Sequence, residues 1–291
     1  MDTVCVRENG VETAMEVHRF GSGAPHICFT AGIHGDEVTA IYTARKLIAY
    51  LTENPPLRGS VTILPTVNLP AMRIMRRRNP FDDLDLNRVF PGDAEGSFAC
   101  RLADAVWKIV ADVDYLIDLH CCEHHKLPYI LSVYPESEQI RDLVRRITLP
   151  TAVLSAGDGG QLFLEAFRRR GQVTCLIELT SGDSYGAINL PVAEQGFAAL
   201  LDLLRSEGIA AGEVQGTAPK FYGKLKNIPA PAGLWMPVVQ NGQTVRQGDT
   251  VGKVDGKPVI APADGMIMRV TPCSYLMGTD PRAVVYLQPN E

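Results

Sequence analysis

From residue 26 to about residue 207, short runs rich in β-branched residues alternate with longer stretches whose apolar positions recur at helical spacing. Such alternation is how strands joined through helices read in a sequence, and it predicts an α/β fold with a largely parallel sheet covered by helices. Strands are expected at HICFTAG (26–32), SVTILPTVN (60–68), DYLIDLH (114–120), PYILSVY (128–134), TAVLSA (151–156) and QVTCLIELT (172–180). Between them, Val38, Ile41, Leu47, Ile48 and Leu51 repeat at helical period, so a helix begins near Asp36. Further helices fall near 97–111, 136–147, 160–170 and 192–206.

The pattern changes after about residue 215. Glycine and proline now recur between short alternating runs such as TVRQGDTVGKV and KPVIAPADGMIMRV, which predicts a small all-β barrel or sandwich. The expected division is therefore a domain over 1–215 and a C-terminal β domain over 216–291, joined at AAGEVQGTAPK. With 46% hydrophobic and 21% charged residues, 291 residues suffice for a sizeable core. A formal net charge of -5 supplies no general attraction to nucleic acid or anionic membrane, so neither is expected as a partner. The first residues carry no basic start followed by an apolar core, and no stretch reaches the roughly 20 apolar residues of a membrane span. Seven cysteines, an odd number that includes adjacent Cys121 and Cys122, suit a reducing compartment, and a cytoplasmic location is expected.

Open α/β sheets place ligand crevices at the carboxyl ends of their strands, and three polar features fall there. The first is Gly32-Ile33-His34-Gly35-Asp36-Glu37, where an imidazole and a carboxylate three residues apart can turn toward one ion. The plainer reading is a glycine turn whose acids favour a helix dipole. The second is His120, the last residue of DYLIDLH. His34, Glu37 and His120 together supply two imidazoles and a carboxylate, a set that catalytic zinc ions use while leaving one position to water. A hydrogen-bonded structural histidine is the alternative. Asp118, two residues earlier on the same strand face, can orient a ligand from behind. The third feature is Glu178 at the end of QVTCLIELT, a carboxylate costly to bury unless solvated or paired, which suits a general base toward metal-bound water; a helix cap or a salt bridge is the plainer reading.

Between the first two features, residues 72–92 hold five arginines. Guanidinium groups grip carboxylates and stabilise oxyanions, which suits a small anionic substrate, although a solvated basic loop or RNA-contacting patch reads the same way. In HCCEHHK (120–126), adjacent strand residues point to opposite faces and chelate one ion poorly, so His124 and His125 are expected as loop residues.

Taken jointly, GIHGDE, N-x-P-A (68–71), R-x-N-P-x-D-x-x-D-L-N-R-x-F-P-G (77–92), D-L-H and I-E-L-T resemble the succinylglutamate desuccinylase/aspartoacylase family of zinc carboxypeptidase-like enzymes. The resemblance implies a mixed, twisted sheet with helices on both faces, one zinc ion per chain, and hydrolysis of the amide bond in N-acyl amino acids. It implies that His34, Glu37 and His120 hold zinc, and that Glu178 takes a proton from water and passes it to the leaving amine. By the same resemblance Arg77 stabilises the oxyanion, with Arg78 permitted by the triple arginine, while Asn87 and Arg88 grip the substrate carboxylate and Asp85 steadies their loop. A C-terminal β domain over the active-site mouth belongs to the same picture. That segment also looks like a biotinyl or lipoyl carrier, with Lys257 near the turn, but the flanking pattern differs. The expected partner is a small molecule, with room for a homo-oligomer. The competing readings are a zinc carboxypeptidase of short peptides and a non-catalytic metabolite-binding protein.

Overall fold

A computed structural model of the chain describes residues 1–8, 10–122, 127–182 and 184–290. His124 and His125 lie outside the described residues. Nine strands form one sheet: β1 (Asp2–Glu8), β2 (Val11–Gly21), β3 (His26–Ala31), β4 (Ser60–Leu64), β5 (Tyr115–Cys121), β6 (Tyr129–Ser132), β7 (Thr151–Leu154), β8 (Val173–Leu179) and β9 (Lys220–Tyr222). Their order is β1-β2-β4-β3-β5-β8-β6-β7-β9. The centre, β4-β3-β5-β8, is parallel, while β1, β2 and the β6-β8 pairing are antiparallel, so the sheet is mixed and mostly parallel.

The central strands read as continuous apolar runs because helices bury both sides of them. On β3, Ile27, Phe29 and Ala31 pack with Ala40, Leu47, Leu200 and Leu203 of α1 (Val38–Glu53) and α6 (Leu190–Ser206). Cys28 faces the other way, into a layer with Leu102 and Val106 of α3 (Phe98–Ile109) and Leu162 of α5 (Leu162–Arg170). Between these in sequence come the short α2 (Leu69–Arg73) and α4 (Glu138–Arg146). None of the helices among the described residues is long and apolar enough to cross a membrane.

Two differences from the sequence expectation have physical causes. The amino-terminal hairpin was not anticipated, yet its code is ordinary: Val6, Met15 and Val17 are buried on one side while polar neighbours face out. Strand β9 lies beyond residue 215 but joins the large sheet beside β7, so the chain leaves that sheet only after Tyr222.

The remaining strands form two antiparallel four-stranded sheets. One has the order β10 (Lys226–Ala230), β17 (Asp280–Leu287), β15 (Gly265–Val270), β12 (Thr244–Val245). The other runs β14 (Lys257–Ile260), β13 (Thr250–Val254), β11 (Gly233–Pro237), β16 (Ser274–Leu276). They share a core around Trp235, whose indole fits over Gly252 so closely that a Cβ there would sit 2.1 Å from the ring. A second cluster, with Tyr129, Val153 and Tyr222 against Met268, Val285 and Leu287, packs this β unit onto the large sheet.

Candidate metal centre and active site

Strands β3, β5 and β8 are parallel neighbours, so their carboxyl ends open on one edge of the sheet. After β3 the chain turns through Gly32 at φ 66°, and Gly35 then passes so near α2 that a Cβ would lie 2.1 Å from the Ala71 backbone. No side chain fits at Gly35. Asn68 braces this turn, donating to the Ile33 carbonyl and accepting from Asn79, which ties the motif at 68–71 to the one at 77–92. Helix α1 starts at Val38, slightly later than Asp36, with Glu37 in the capping position but making no cap hydrogen bond. Its carboxylate is turned toward the histidines instead.

Three donor groups meet there. His34 Nδ1 is 2.7 Å from Glu37 Oε1, His120 Nδ1 is 2.9 Å from Glu37 Oε2, and the two Nδ1 atoms are 3.1 Å apart. All three side chains are buried, and Glu37 Oε2 has no hydrogen-bond partner despite its closeness to His120. The three ligand atoms therefore lie around a shared point, all within 4.8 Å of one another. Ligand bonds of about 2.0–2.1 Å in tetrahedral array separate donors by about 3.3 Å, close to these spacings, so the three residues fit a metal ion.

The far side of each imidazole is held by a carboxylate. Asp118 Oδ2 lies 2.9 Å from His120 Nε2, and its other oxygen accepts from the Thr30 hydroxyl at 2.6 Å. Asp85 Oδ1 lies 3.0 Å from His34 Nε2. Such backing fixes which ring nitrogen is free to bind a cation. Burial opposes charge on both rings, but Glu37 and Asp85 around His34, and Asp118 and Glu37 around His120, outweigh it and raise both pKa values. Glu37 and Asp85 are held below the ordinary carboxylate range by the imidazoles despite their burial. The local field thus favours positive charge.

Glu178 is the in-register neighbour of His120 on the adjacent strand. One of its oxygens is buried without a hydrogen-bond partner, and it serves neither as a cap nor in an ion pair among the described residues. Burial pushes its carboxyl up to about 7, with Glu37 adding to the rise and His120 opposing it. A cavity of about 440 Å³ joins it to His34, Glu37, His120, Arg77, Asn87 and Arg88.

The arginines separate cleanly. Arg77 donates from Nε and Nη2 to Asp85, leaving Nη1 3.3 Å from His34 Nδ1 at the cavity. Arg78 instead donates to the Asp83 carbonyl. Asn87 accepts from the Leu162 amide at 2.9 Å, with its NH2 3.3 Å from His120 Nε2. The Arg88 guanidinium donates to the Asn87 carbonyl and lies 3.9 Å from Asp158. Asp158 and Gln161 also line the cavity, and sequence reasoning missed both because nothing in AGDGGQ marks it as the neighbour of a segment some seventy residues earlier. The expected cover from the C-terminal β unit takes another form. The described lining residues all precede Leu179, and the β unit packs behind Cys122 and Leu131, two residues of the cavity wall.

Residues 24–204 match the family model of the succinylglutamate desuccinylase/aspartoacylase catalytic domain. The chain belongs to this family of deacylases. An N-alpha-acetyl-L-2,4-diaminobutyric acid deacetylase of Halomonas elongata is 30% identical over 244 residues, covering 79% of this chain and 70% of the relative. A succinylglutamate desuccinylase/aspartoacylase structure from Rhodobacter sphaeroides has a TM-score of 0.80 at 23% identity, covering 99% of this chain and 94% of the other. The product-bound ectoine utilization protein EutE (DoeB) of Ruegeria pomeroyi has a TM-score of 0.76 at 20% identity, with 98% and 92% covered. At these identities the two structures speak for the fold.

Proposed function

We propose that this chain is a zinc-dependent deacylase that hydrolyses the amide bond of a small N-acyl amino acid or related carboxylate, with one zinc ion held by His34, Glu37 and His120. The observation that carries the reading is the meeting of two imidazole nitrogens and a carboxylate beside Glu178, whose buried oxygen has no partner. Two nitrogens and a carboxylate oxygen suit zinc among the common divalent ions. Zinc held there supplies Lewis acidity, which polarises an amide carbonyl and makes water acidic enough to lose a proton near neutral pH.

The chain's own groups supply the rest. Glu178 accepts the proton of the attacking water and delivers it to the leaving amine, a task suited to a carboxyl whose pKa lies near neutrality. Arg77, oriented by its two bonds to Asp85, donates from Nη1 to the oxyanion. Arg88, with the NH2 of Asn87 beside it, receives the substrate carboxylate. Asp118 and Asp85 keep the two imidazoles in the binding tautomer. The relative named as a diaminobutyric acid deacetylase supports a small acyl group. A cytoplasmic setting is part of the proposal, supported by seven cysteines of which none forms a disulfide among the described residues.

The test is metal content after purification together with amine release from a panel of N-acyl amino acids. Stoichiometric zinc and turnover support the proposal. Zinc without turnover on any member points to a binding protein, and absence of zinc with full turnover removes the metal from the reaction.

A further inference from the structure

A second cavity, of about 650 Å³, lies at the seam where the β unit packs onto the large sheet. Among the described residues it shares no wall with the cavity at Glu178. Phe221 and Tyr222 of β9 line it together with Arg141 of α4, Met266 of β15 and Asn290. Bonds across the seam fix these residues in place. The Tyr134 hydroxyl donates to the Tyr222 carbonyl at 2.6 Å and accepts from Asn290 Nδ2 at 2.8 Å. The Phe221 carbonyl accepts from the Asn290 amide at 3.0 Å, and the Phe221 ring centre lies 4.7 Å from that of Tyr134. The Tyr222 hydroxyl reaches the Met266 sulfur at 3.7 Å.

Arg141 sets the chemistry of this space. It is one of three arginines on α4, and the other two are paired: Arg145 with Glu138 and Asp142, Arg146 with Glu207. Arg141 has no carboxylate partner and no side-chain hydrogen bond among the described residues, and its Nε is buried. Its guanidinium lies instead 5.2 Å from the centre of the Phe221 ring. A ring face attracts the charge but leaves the fork of N–H donors without a bidentate acceptor. Lys220, also at the cavity, adds a second positive charge. Asp264, the one carboxylate among the described lining residues, already accepts from the Gln247 amide at 2.7 Å.

Apolar side chains and an unpaired cation around one space match a ligand that has both characters. We propose that the seam cavity is a second ligand site, distinct from the candidate metal site, and that it takes a small monocarboxylate with an apolar tail. The carboxylate pairs with Arg141, and the tail lies against Phe221, Tyr222 and Met266. Because Arg141 and Phe221 belong to the large-sheet unit and Met266 to the β unit, an occupant bridges the two. The site stands whether or not the chain hydrolyses amides.

The test titrates the purified full chain with hexanoate, with hexanol, which lacks the charge, and with acetate, which lacks the tail. The readout is the methyl resonance of Met266 in methionine-methyl-labelled protein, assigned by its loss in Met266→Leu. Hexanoate is expected to shift that resonance and to bind at least about tenfold more tightly than hexanol, the scale of a charge-assisted hydrogen bond. It should exceed acetate by at least about tenfold as well, from the methylenes it buries. Arg141→Gln brings hexanoate down to the level of hexanol, whereas Arg145→Gln on the same helix and Arg88→Gln at the other cavity leave the Met266 titration unchanged. Equal titrations by hexanoate and hexanol overturn the proposal, as does a Met266 resonance that millimolar hexanoate does not move. Loss of the response in Arg88→Gln but not in Arg141→Gln would move the carboxylate to the candidate metal site and overturn it too. The comparison of acid with alcohol needs no variant, so it decides the matter alone should Arg141→Gln fail to fold.

Discussion

At the carboxyl ends of β3, β5 and β8 the chain buries His34, Glu37, Asp118 and His120 within hydrogen-bonding distance of one another, whereas the sandwich of residues 226–287 closes over Trp235, Val251, Ile267 and Val284. The buried polar residues of the described chain all fall at or before Asp202. One region is thus rich in groups that are costly to keep dry, and the other is an apolar core of the kind that stabilises a small β unit. The contrast teaches that reactivity and cohesion are kept apart here. The two adjoin through apolar packing that reaches Cys122 and Leu131 behind the cavity wall.

Substitutions in the two regions should therefore separate metal and turnover from stability. The largest expected effect is that of His34→Ala, which removes a metal ligand: zinc content drops to background and turnover falls by roughly a thousandfold or more, since the reaction then lacks its Lewis acid. Normal zinc stoichiometry in that variant would place the metal elsewhere. Next, Trp235→Ala opens the core of the sandwich and costs about 3–5 kcal/mol in denaturant unfolding, while zinc content per folded molecule stays at one. A loss of zinc in the folded fraction would mean that the two regions are coupled. Glu178→Gln keeps zinc and slows turnover by at least about a hundredfold, the scale of a general base. Retained activity would take Glu178 out of the mechanism.

The smallest effect tests the stretch that links the regions. Asp202 accepts from the Gln215 and Gly216 amides and the Thr148 hydroxyl, and pairs with Arg205. Burial alone would raise its carboxyl, but the amide bonds of Gly216 and Gln215 with the Thr148 and Arg205 contacts prevail and lower it. A lowered carboxyl contributes stability that is present above the ordinary carboxylate pKa and is lost as pH falls. Asp202→Ala should therefore destabilise by about 1–2 kcal/mol at neutral pH, with the deficit shrinking below about pH 4 in urea melts. A deficit constant with pH would exclude the charge as its source.

Much of the architecture was legible because periodicity is a local property. The six central and flanking strands expected between 26 and 180, and the helices between them, rest on apolar patterns that survive any packing arrangement. The amino-terminal hairpin carries an equally local alternation on either side of the sequence pair Asn9-Gly10, so it too was legible in principle. Strand β9 was not legible at all: a three-residue strand draws its identity from the edge it joins, and its pairing with β7 depends on where that edge lies.

The residues of the candidate metal site divide the same way. His34, Glu37, His120 and Glu178 stood out alone because a charged residue ending an apolar strand is conspicuous in one dimension. Which ring nitrogen each histidine turns inward, the choice of Asp85 as the brace of both His34 and Arg77, and the close passage of Gly160 over Arg88 were decided only by the folded chain. The reason is physical: a side chain's chemical type is written at its own position, but its partners come from segments separated by dozens of residues, and only packing sets those distances.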